Sequence, residues 1–300
     1  MKIAVTGSHG LIARALIPRL EQSGHTVVRL VREGSAAPGG GQVGWDPAAG
    51  RLDRSALAGI GAVVHLAGAG IGDRRWSASR KALIVDSRVD GTRLLADALA
   101  TLDGPRPTLL AASAIGIYGD RGEEELSERS PAGTGFLADV CCRWEEATAA
   151  AAAAGCRVVN LRSGVVLARK GGLLGRTLPL FRLGLGGRLG SGRQYLSWIT
   201  LADEVAALNH LLAHDDISGP VNLTAPEPVT NAEFTRALGR ALHRPAVLAV
   251  PGVALRTVLG REMADEMVLA GQRVRPGVLG ATGFQFAHPS IDEALAAVLA

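Results

Sequence analysis

The sequence predicts an α/β fold, a doubly wound parallel sheet followed by a smaller C-terminal lobe. Three observations support this. Short β-branched runs alternate with longer helical patterns through the first 165 residues. The first run enters a glycine turn that opens a helix. Beyond Leu167 the elements shorten and glycine-rich loops appear. Apolar strands that alternate with helices are typical of a parallel sheet covered on both faces.

Five runs predict strands and three longer patterns predict helices. The strands are Ile3–Val5, Thr26–Val31, Ala62–Leu66, Thr108–Ala112 and Arg157–Leu161. The helices are Leu11–Gln22, Ser77–Ala100 and Leu137–Ala154. Right-handed crossovers would wind these elements into one doubly wound sheet. The glycine-rich stretch from Gly34 to Gly41 predicts a surface loop.

The C-terminal half predicts a lobe that is threaded back onto the sheet. It contains helices near Leu201–Leu212 and Thr230–Leu242 and a strand near Val221–Leu223. We expect residues 1–167 to form the core domain and residues 168–300 to form mainly the lobe. Some segments of the lobe should return to the core, and a short C-terminal segment should begin at about residue 248.

Bulk composition narrows the classes of function. Hydrophobic residues make up 47% of the 300 residues, which is enough for a sizeable core. The net charge of +4 is too small to predict a nucleic-acid partner. No apolar run reaches the roughly 18–20 residues of a membrane span. The three cysteines form no spaced pairs and the chain starts on a strand pattern without a signal peptide, so we expect a cytoplasmic protein.

The turn after the first strand has the spacing Gly7-x-x-Gly10-x-x-Ala13. Gly7 would permit the tight turn, Gly10 would let the backbone approach a pyrophosphate, and Ala13 would let the helix pack closely on the strand. The alternative is an ordinary strand–helix turn. The predicted cofactor contacts in this turn are Gly7, Ser8, His9, Gly10, Leu11 and Ile12.

The end of the second strand favours NADP(H) over NAD(H). An NAD site places an acid about twenty residues after the glycine turn. Val31 stands at that position and Arg32 follows, and a guanidinium suits the 2′-phosphate of NADP. The alternative is that Arg32 and Glu33 form an exposed ion pair on a loop.

At this point the sequence resembles the extended short-chain dehydrogenase/reductases, the NAD-dependent epimerase/dehydratase superfamily, which has a Rossmann core. The matching segments are Thr6–Ala13, His65–Gly68, Val89–Thr92, Ser113 with Tyr118–Asp120, and Leu161–Gly164. The resemblance implies further cofactor contacts at Leu66, Ala67, Gly68, Arg88, Ser113, Cys141, Arg162, Ser163 and Gly164.

More narrowly, the chain resembles an atypical, epimerase-like family with a short C-terminal domain of unknown function. The landmarks are Asp73–Trp76, Tyr118–Gly122, Gly186–Gln194, Ser197–Ile199, Val221–Pro226, Ala270–Val274 and Gly283–Phe284. This resemblance covers essentially the whole chain.

The Tyr-x-x-x-Lys pair, which provides the general acid/base in active members of the superfamily, is missing. Neither tyrosine, Tyr118 or Tyr195, has a lysine four residues later. An alignment of the corresponding helix places Leu137 at the tyrosine position and Cys141 at the lysine position. Arg88 stands where the superfamily usually has asparagine.

Three residues are therefore candidates for proton transfer: Ser113, Tyr118 and Cys141. Each has a structural alternative. Ser113 could cap a turn, and the catalytic hydroxyl position could instead fall at Ala114. Tyr118 could pack as a loop aromatic, and Cys141 could be a buried apolar side chain.

Two tryptophan–arginine groups predict a wall of the substrate site, because they combine flat apolar surface with anion-binding guanidinium groups. They are Arg75 with Trp76, and Arg193 with Trp198. The alternative is core tryptophan and solvated arginine. His210 and His214 are spaced as a possible metal pair, but no third ligand is evident, so no metal site is predicted.

These features predict an NADP(H)-binding oxidoreductase or epimerase-like enzyme that acts on a small polar substrate as a monomer or homodimer. The missing acid/base pair supports an alternative, a catalytically silent NADP(H)-binding protein that senses redox state or regulates a partner. Fold alone does not choose between them.

Overall fold

The computed structural model describes residues 1–33 and 41–300. Of the loop expected between Gly34 and Gly41, residues 34–40 lie outside the described part of the chain. No helix in the described part is long and apolar enough to cross a membrane.

The strands and helices alternate along the chain as the sequence predicts for its first half. The strands are β1 Lys2–Thr6, β2 Thr26–Arg32, β3 Gln42–Asp46, β4 Arg51–Leu52, β5 Ala62–His65, β6 Thr108–Ala114, β7 Glu125–Leu126, β8 Val158–Ser163, β9 Val165–Leu167, β10 Gly187–Leu189, β11 Tyr195–Leu196, β12 Trp198–Thr200, β13 Gly219–Leu223, β14 Val229–Thr230, β15 Leu248–Val250 and β16 Arg273–Val274. The helices are α1 Leu11–Gln22, α2 Ala78–Ala100, α3 Phe136–Glu146, α4 Ala149–Ala153, α5 Gly172–Arg182, α6 Leu201–Ala213, α7 Asn231–Leu242, α8 Gly252–Leu259, α9 Arg261–Met267, α10 Gly277–Ala281 and α11 Ile291–Leu299.

The main sheet has eight strands in the order β13-β8-β6-β5-β1-β2-β3-β4. Neighbouring strands are parallel except for β4, which pairs antiparallel with β3 at the edge. The α/β fold class is therefore confirmed. The five strands predicted in the first half all belong to this sheet, and the strand predicted near Val221–Leu223 is its other edge. The sequence analysis missed β3 and β4.

Helices cover both faces of the sheet, as a doubly wound fold requires. On one face, Leu16 of α1 and Leu208 of α6 pack against Ile3 and other buried strand residues. On the other face, Leu95 of α2 and Ala151 of α4 pack against the strand side chains that point to that face. Both helical layers leave the carboxyl ends of the parallel strands, where ligands bind in such sheets, at one common edge.

The helix predicted over Leu137–Ala154 is divided into α3 and α4. Thr148 lies at the break, and its hydroxyl donates a hydrogen bond of 2.7 Å to the carbonyl oxygen of Glu145. A threonine hydroxyl that bonds back to the main chain competes with the helical ladder, which accounts for the break.

The chain after residue 167 adds its own apolar cluster, with Trp198, Phe234 and Leu295 fully or almost fully buried between α5, α7 and α11. It also returns to the main sheet through β13. The division into residues 1–167 and 168–300 stays a prediction.

Candidate cofactor and substrate site

The glycine turn lies at the carboxyl end of β1, and its two glycines have different reasons to be there. Gly7 has φ +65°, and a Cβ atom on it would lie 2.7 Å from the carbonyl oxygen of Leu66. Gly10 has an ordinary φ of −73°, and a Cβ atom would meet only the Gly7 carbonyl oxygen, at 3.0 Å. The fold itself demands glycine at position 7, whereas at position 10 a Cβ atom would meet a single main-chain atom, and its absence lets a ligand approach the backbone closely.

The first turn of α1 has the character of an anion site. Gly10 is the N-cap and contributes no side-chain cap, and the first turn contains no acidic residue. The main-chain N–H groups there have no partner within the helix, and the helix dipole favours a negative charge beside them. Ser8 is half-buried and His9 is exposed at the mouth of the turn.

A buried contact that sequence reasoning missed joins the ends of β1 and β5. The Thr6 hydroxyl accepts hydrogen bonds from the main-chain N–H groups of Leu66 and Ala67 at 3.0 and 3.1 Å. It therefore donates its own proton to Nδ1 of His65, at 2.7 Å. Burial lowers the pKa of His65 to about 4, so the ring is neutral at pH 7. This contact fixes the loop through Leu66, Ala67 and Gly68 beside the glycine turn.

The guanidinium of Arg32 is exposed at the end of β2. No ion pair with another described residue involves it. Its neighbour Glu33 instead accepts hydrogen bonds from Nε and Nη2 of Arg51, at 2.9 and 2.7 Å. The structure thus supplies Glu33 with a partner other than Arg32, which leaves Arg32 for a ligand.

Ser113 lies at the carboxyl end of β6 and belongs to a buried polar network. Its hydroxyl donates to Oε1 of Glu145 at 2.7 Å. Arg162, at the end of β8, binds the same carboxylate through Nε and Nη2 at 2.8 and 2.9 Å. Burial alone would lower the pKa of Arg162, but the hydrogen bonds and charge of Glu145 outweigh that effect and raise it.

Tyr118 continues this network and is fully buried. Its hydroxyl donates to Oδ1 of Asn222 at 2.7 Å and accepts from Nη1 of Arg162 at 3.0 Å. Burial raises the pKa of the phenol. The proposed role of Tyr118 as a proton donor does not fit this position, because a hydroxyl with no accessible surface cannot reach a substrate. The packing alternative fits instead.

Cys141 is 4% exposed on α3, beside the residue that takes the tyrosine position. A Cβ atom on Gly116 would lie 3.4 Å from Cβ of Leu137 and 3.7 Å from Sγ of Cys141. Burial raises the pKa of the Cys141 thiol to about 12, so the thiol is neutral at pH 7. This supports the buried apolar alternative, and contact with the cofactor ribose stays a prediction.

Arg88 is 6% exposed in the middle of α2 and borders Gly68. Its Nη1 atom donates to the carbonyl oxygens of Ala69 and Ile84. It is also electrostatically close to Cys141. The structure therefore brings together Gly68 after β5, Arg88 in α2 and Cys141 in α3, and the main chain of Ala114, next to Ser113 at the end of β6, lies beside Cys141.

Ser163 and Gly164 have structural partners at the end of β8. The Ser163 hydroxyl donates to Oε1 of Glu204 at 2.7 Å. A Cβ atom on Gly164 would lie 2.7 Å from the carbonyl oxygen of Ser197, so close packing requires glycine there. Their contact with the cofactor stays a prediction.

The structure treats the two predicted substrate groups differently. Trp76 is half-buried against Phe136 in an edge contact, with ring centres 5.0 Å apart, and Arg75 beside it is exposed. Arg193 is also exposed. Trp198 is fully buried, and its indole N–H donates to the carbonyl oxygen of Glu227. The prediction that Trp198 contacts substrate does not fit, because a side chain without accessible surface cannot form a wall against a ligand.

A C-terminal residue closes the start of α3. Glu266 of α9 accepts hydrogen bonds from the main-chain N–H groups of Phe136 and Leu137, at 2.9 and 2.8 Å. A carboxylate at a helix N-terminus is favoured by the helix dipole. Sequence reasoning missed it because the two partners are about 130 residues apart.

No group of His, Cys, Asp and Glu side chains in the described ranges could hold a metal ion. His210 and His214 stack on each other with ring centres 3.9 Å apart, and Nε2 of His210 lies 3.0 Å from the Thr282 hydroxyl.

Comparisons with known proteins identify the family. The model of the NAD dependent epimerase/dehydratase family matches residues 3–223, and a Domain of unknown function (DUF1731) matches residues 250–298. The chain is 50% identical to the epimerase family protein MT2273 of Mycobacterium tuberculosis, over 98% of this chain and 96% of that protein. It is 37% identical to the human epimerase family protein SDR39U1, over the full length of both.

Two solved structures align with essentially the whole chain. The crystal structure of human epimerase family protein SDR39U1 (isoform 2) with NADPH aligns with a TM-score of 0.88 and 35% identity, over 99% of both chains. The nucleoside-diphosphate sugar epimerase from Corynebacterium glutamicum aligns with a TM-score of 0.81 and 37% identity, over all of this chain and 58% of that one. The chain belongs to the NAD dependent epimerase/dehydratase family.

Proposed function

We propose that the protein binds NADP(H) at the carboxyl edge of its main sheet. The observation that carries this proposal is the glycine turn together with the exposed Arg32 guanidinium at the end of the next strand, which forms no ion pair with another described residue. Gly10 and the first turn of α1 would hold the pyrophosphate, and Arg32 would hold the 2′-phosphate. The NADPH complex of human SDR39U1 supports the same choice of cofactor.

We further propose that the protein is an oxidoreductase or epimerase-like enzyme acting on a small polar substrate. The bound cofactor would supply or accept the hydride, and the chain would orient it. Residues 1–167 would hold the cofactor and much of residues 168–300 the substrate. The expected cytoplasmic location and monomeric or homodimeric state also remain proposals.

Ser113 is the best candidate to handle the proton. Its own proton is directed at Glu145, so its oxygen can accept a hydrogen bond from a substrate hydroxyl. When a substrate hydroxyl is oxidised, its proton would pass to Ser113 as the Ser113 proton passes to Glu145. When NADPH reduces a carbonyl, both transfers would run in reverse, from protonated Glu145 through Ser113 to the substrate oxygen. Arg162 would stabilise the carboxylate in place.

A second candidate function is a silent NADP(H)-binding protein. Specific observations favour it. Leu137 and the neutral Cys141 occupy the positions of the missing pair, and the Tyr118 hydroxyl is buried. Such a protein would bind the cofactor firmly without turning it over.

One experiment separates the two. NADPH binding is first established by fluorescence titration, and NADPH oxidation is then measured with a panel of carbonyl compounds and nucleotide sugars. The enzyme proposal predicts turnover that Ser113→Ala lowers about 100-fold, the low end of general acid–base contributions. Ser55→Ala, an exposed serine near the opposite edge of the sheet, is the control and should leave the rate unchanged.

A blank panel with firm NADPH binding would favour the silent protein. Turnover that Ser113→Ala leaves unchanged would refute the role of Ser113 and leave the enzyme class standing. Failure of NADPH to bind would refute both.

A further inference from the structure

Arg88 is a buried guanidinium held in one orientation by its neighbours. Its Nη1 atom donates two hydrogen bonds of 3.0 Å, to the carbonyl oxygens of Ala69 and Ile84. Its Cζ atom lies 4.9 Å from the ring centre of Trp144, whose indole N–H is itself fixed by the Thr92 hydroxyl. Contacts on one edge and one face therefore set the plane and rotation of the group.

The other edge of this guanidinium has no partner. The Nε atom is buried without a hydrogen bond, and no described residue accepts one from Nη2. The Nε–H and Nη2–H groups form the planar fork that matches the two oxygens of a carboxylate. The edge suited to a carboxylate is thus the edge without a hydrogen-bond partner among the described residues, and its Nε atom is enclosed by the protein.

No ion pair with a described acidic residue compensates the charge of Arg88. Its charged neighbour on α2 is Arg80, which repels it, and the nearby thiol of Cys141 is neutral at pH 7. Burial lowers the pKa of Arg88 to about 10, which still leaves it charged at pH 7. Arg162 is buried to a similar degree but is bound by Glu145 through two hydrogen bonds. An unpaired buried charge is unfavourable unless an anion joins it.

The position of Arg88 indicates where this anion would lie. A Cβ atom on Gly68 would be 3.4 Å from Cζ of Arg88, so the guanidinium borders the loop that follows β5 at the ligand edge of the sheet. Cys141, its electrostatic neighbour, occupies the aligned lysine position on α3. Arg88, whose Cζ and Nη1 atoms lie nearest to Gly68, therefore borders the region where substrate and nicotinamide would meet.

We propose that the open Nε–Nη2 edge of Arg88 binds a carboxylate of the substrate, so that the substrate is a small carboxylic acid. This rests on the proposed function, because it names the substrate class of the same site. Arg88 would orient the acid through a bidentate pair and neutralise its charge. The aligned superfamily residue, asparagine, could not do so.

The test measures binding, not turnover. Melting temperature and calorimetric titration follow the full-length protein, with and without saturating NADPH. The probes are sodium pyruvate and sodium acetate, with sodium chloride at equal ionic strength as the reference and inorganic phosphate as a separate arm. The variants are Arg88→Gln and Arg88→Lys. The matched control is Arg80→Gln on the same helix. The Nε atom of Arg80 is also buried without a partner, but its Nη2 atom donates to the carbonyl oxygen of Gly70 and lies 3.6 Å from Asp73.

The proposal expects the carboxylates to raise the wild-type melting temperature above the chloride reference. Arg88→Gln should weaken carboxylate binding at least about tenfold. Arg88→Lys keeps the positive charge but lacks the planar fork, so its carboxylate affinity should lie between those of the wild type and Arg88→Gln. It also provides the test if Arg88→Gln fails to fold. Arg80→Gln should bind almost as the wild type does.

Four results would overturn the proposal. They are an equal shift in wild type and Arg88→Gln, an equal loss in Arg80→Gln and Arg88→Gln, a response to phosphate alone, and weaker NADPH binding in Arg88→Gln without any acid present. The last would assign Arg88 to the cofactor. If NADPH does not bind at all, the proposed function fails, but the arm without NADPH still decides whether the carboxylate site exists.

Discussion

The two ends of the ligand edge differ in what they leave unsatisfied. At the glycine turn, the main-chain N–H groups of α1 and the Arg32 guanidinium have no partner side chain among the described residues. At the ends of β6 and β8, Ser113, Glu145 and Arg162 bind one another. The first region has hydrogen-bond donors without partners, whereas in the second region Ser113 and Arg162 both donate to Glu145.

The two regions should therefore contribute to different properties. Donors without a protein partner can form hydrogen bonds with a ligand and contribute to its affinity, whereas hydrogen bonds between protein side chains contribute to folding stability. Within the second region, Arg88 resembles the first region instead, because one edge of its guanidinium remains open. If the contrast holds, substitutions in the glycine turn should change ligand binding, and substitutions in the polar network should change stability.

The largest effect on stability should come from breaking the network. Glu145→Gln would leave Arg162 buried without its counter-charge, and we expect a loss of about 3–5 kcal/mol in unfolding free energy. Urea denaturation followed by circular dichroism measures it. The control is Glu124→Gln, which breaks the more exposed pair with Arg121 and should cost at most about 1 kcal/mol. Equal losses in both variants would contradict a stabilising network.

A substitution in the glycine turn should affect cofactor binding more than folding stability. Gly10→Val should weaken NADPH binding at least about 100-fold, because its side chain would occupy the space left for the pyrophosphate. The melting temperature should fall less than in Gly7→Ala, since a Cβ atom at position 10 is tight against one atom only, the Gly7 carbonyl oxygen at 3.0 Å. Gly7→Ala is the comparison and should destabilise the fold, because it combines positive φ with a clash at Leu66. A folded Gly10→Val protein with unchanged affinity would place the phosphates elsewhere.

Glu204, which supports Ser163 at the end of β8, should make stability depend on pH. Burial raises the pKa of its carboxyl from the usual 4.5 to about 7. The folded protein therefore binds more protons than the unfolded chain between those values, and this group's contribution to stability is lost as pH rises from about 4.5 to 7. The loss should be on the order of 3 kcal/mol.

His65 acts in the opposite direction over much of that range. Its pKa is lowered from 6.5 to about 4, so its contribution is present above pH 6.5 and lost as the pH falls towards 4. Melting temperatures of wild type and Glu204→Gln between pH 4 and 8 separate the two groups. As pH rises from 4.5 to 7, the melting temperature of the wild type should fall relative to that of Glu204→Gln. A difference in melting temperature that does not vary with pH would contradict the assignment to Glu204.

The smallest effect should be on cofactor preference. Arg32→Glu should reduce the preference for NADPH over NADH by about tenfold, because it removes charge-assisted hydrogen bonds to the 2′-phosphate. Fluorescence titration with both cofactors measures the ratio. Arg51→Gln is a suitable control, since Arg51 already pairs with Glu33. Equal affinities for the two cofactors in the wild type would remove the role of Arg32.

The sequence by itself determined the alternation of strands and helices, the glycine turn and the absence of the Tyr-x-x-x-Lys pair. These features are local, because strand and helix periodicity and glycine spacing act over a few residues. The same reasoning did not find β3 and β4. β3 contains Gly44 and two polar end residues, which have low strand propensity, and β4 has only two residues.

Only the tertiary structure decided which polar side chains are free. Tyr118 and Trp198 have the residue types of a site but are buried, and Glu145 and Glu266 reach partners 17 to 130 residues away. The open edge of Arg88 likewise depends on what α2, α3 and the loop after β5 bring around it. Burial and pairing arise from contacts between distant segments, so no local pattern in the chain encodes them.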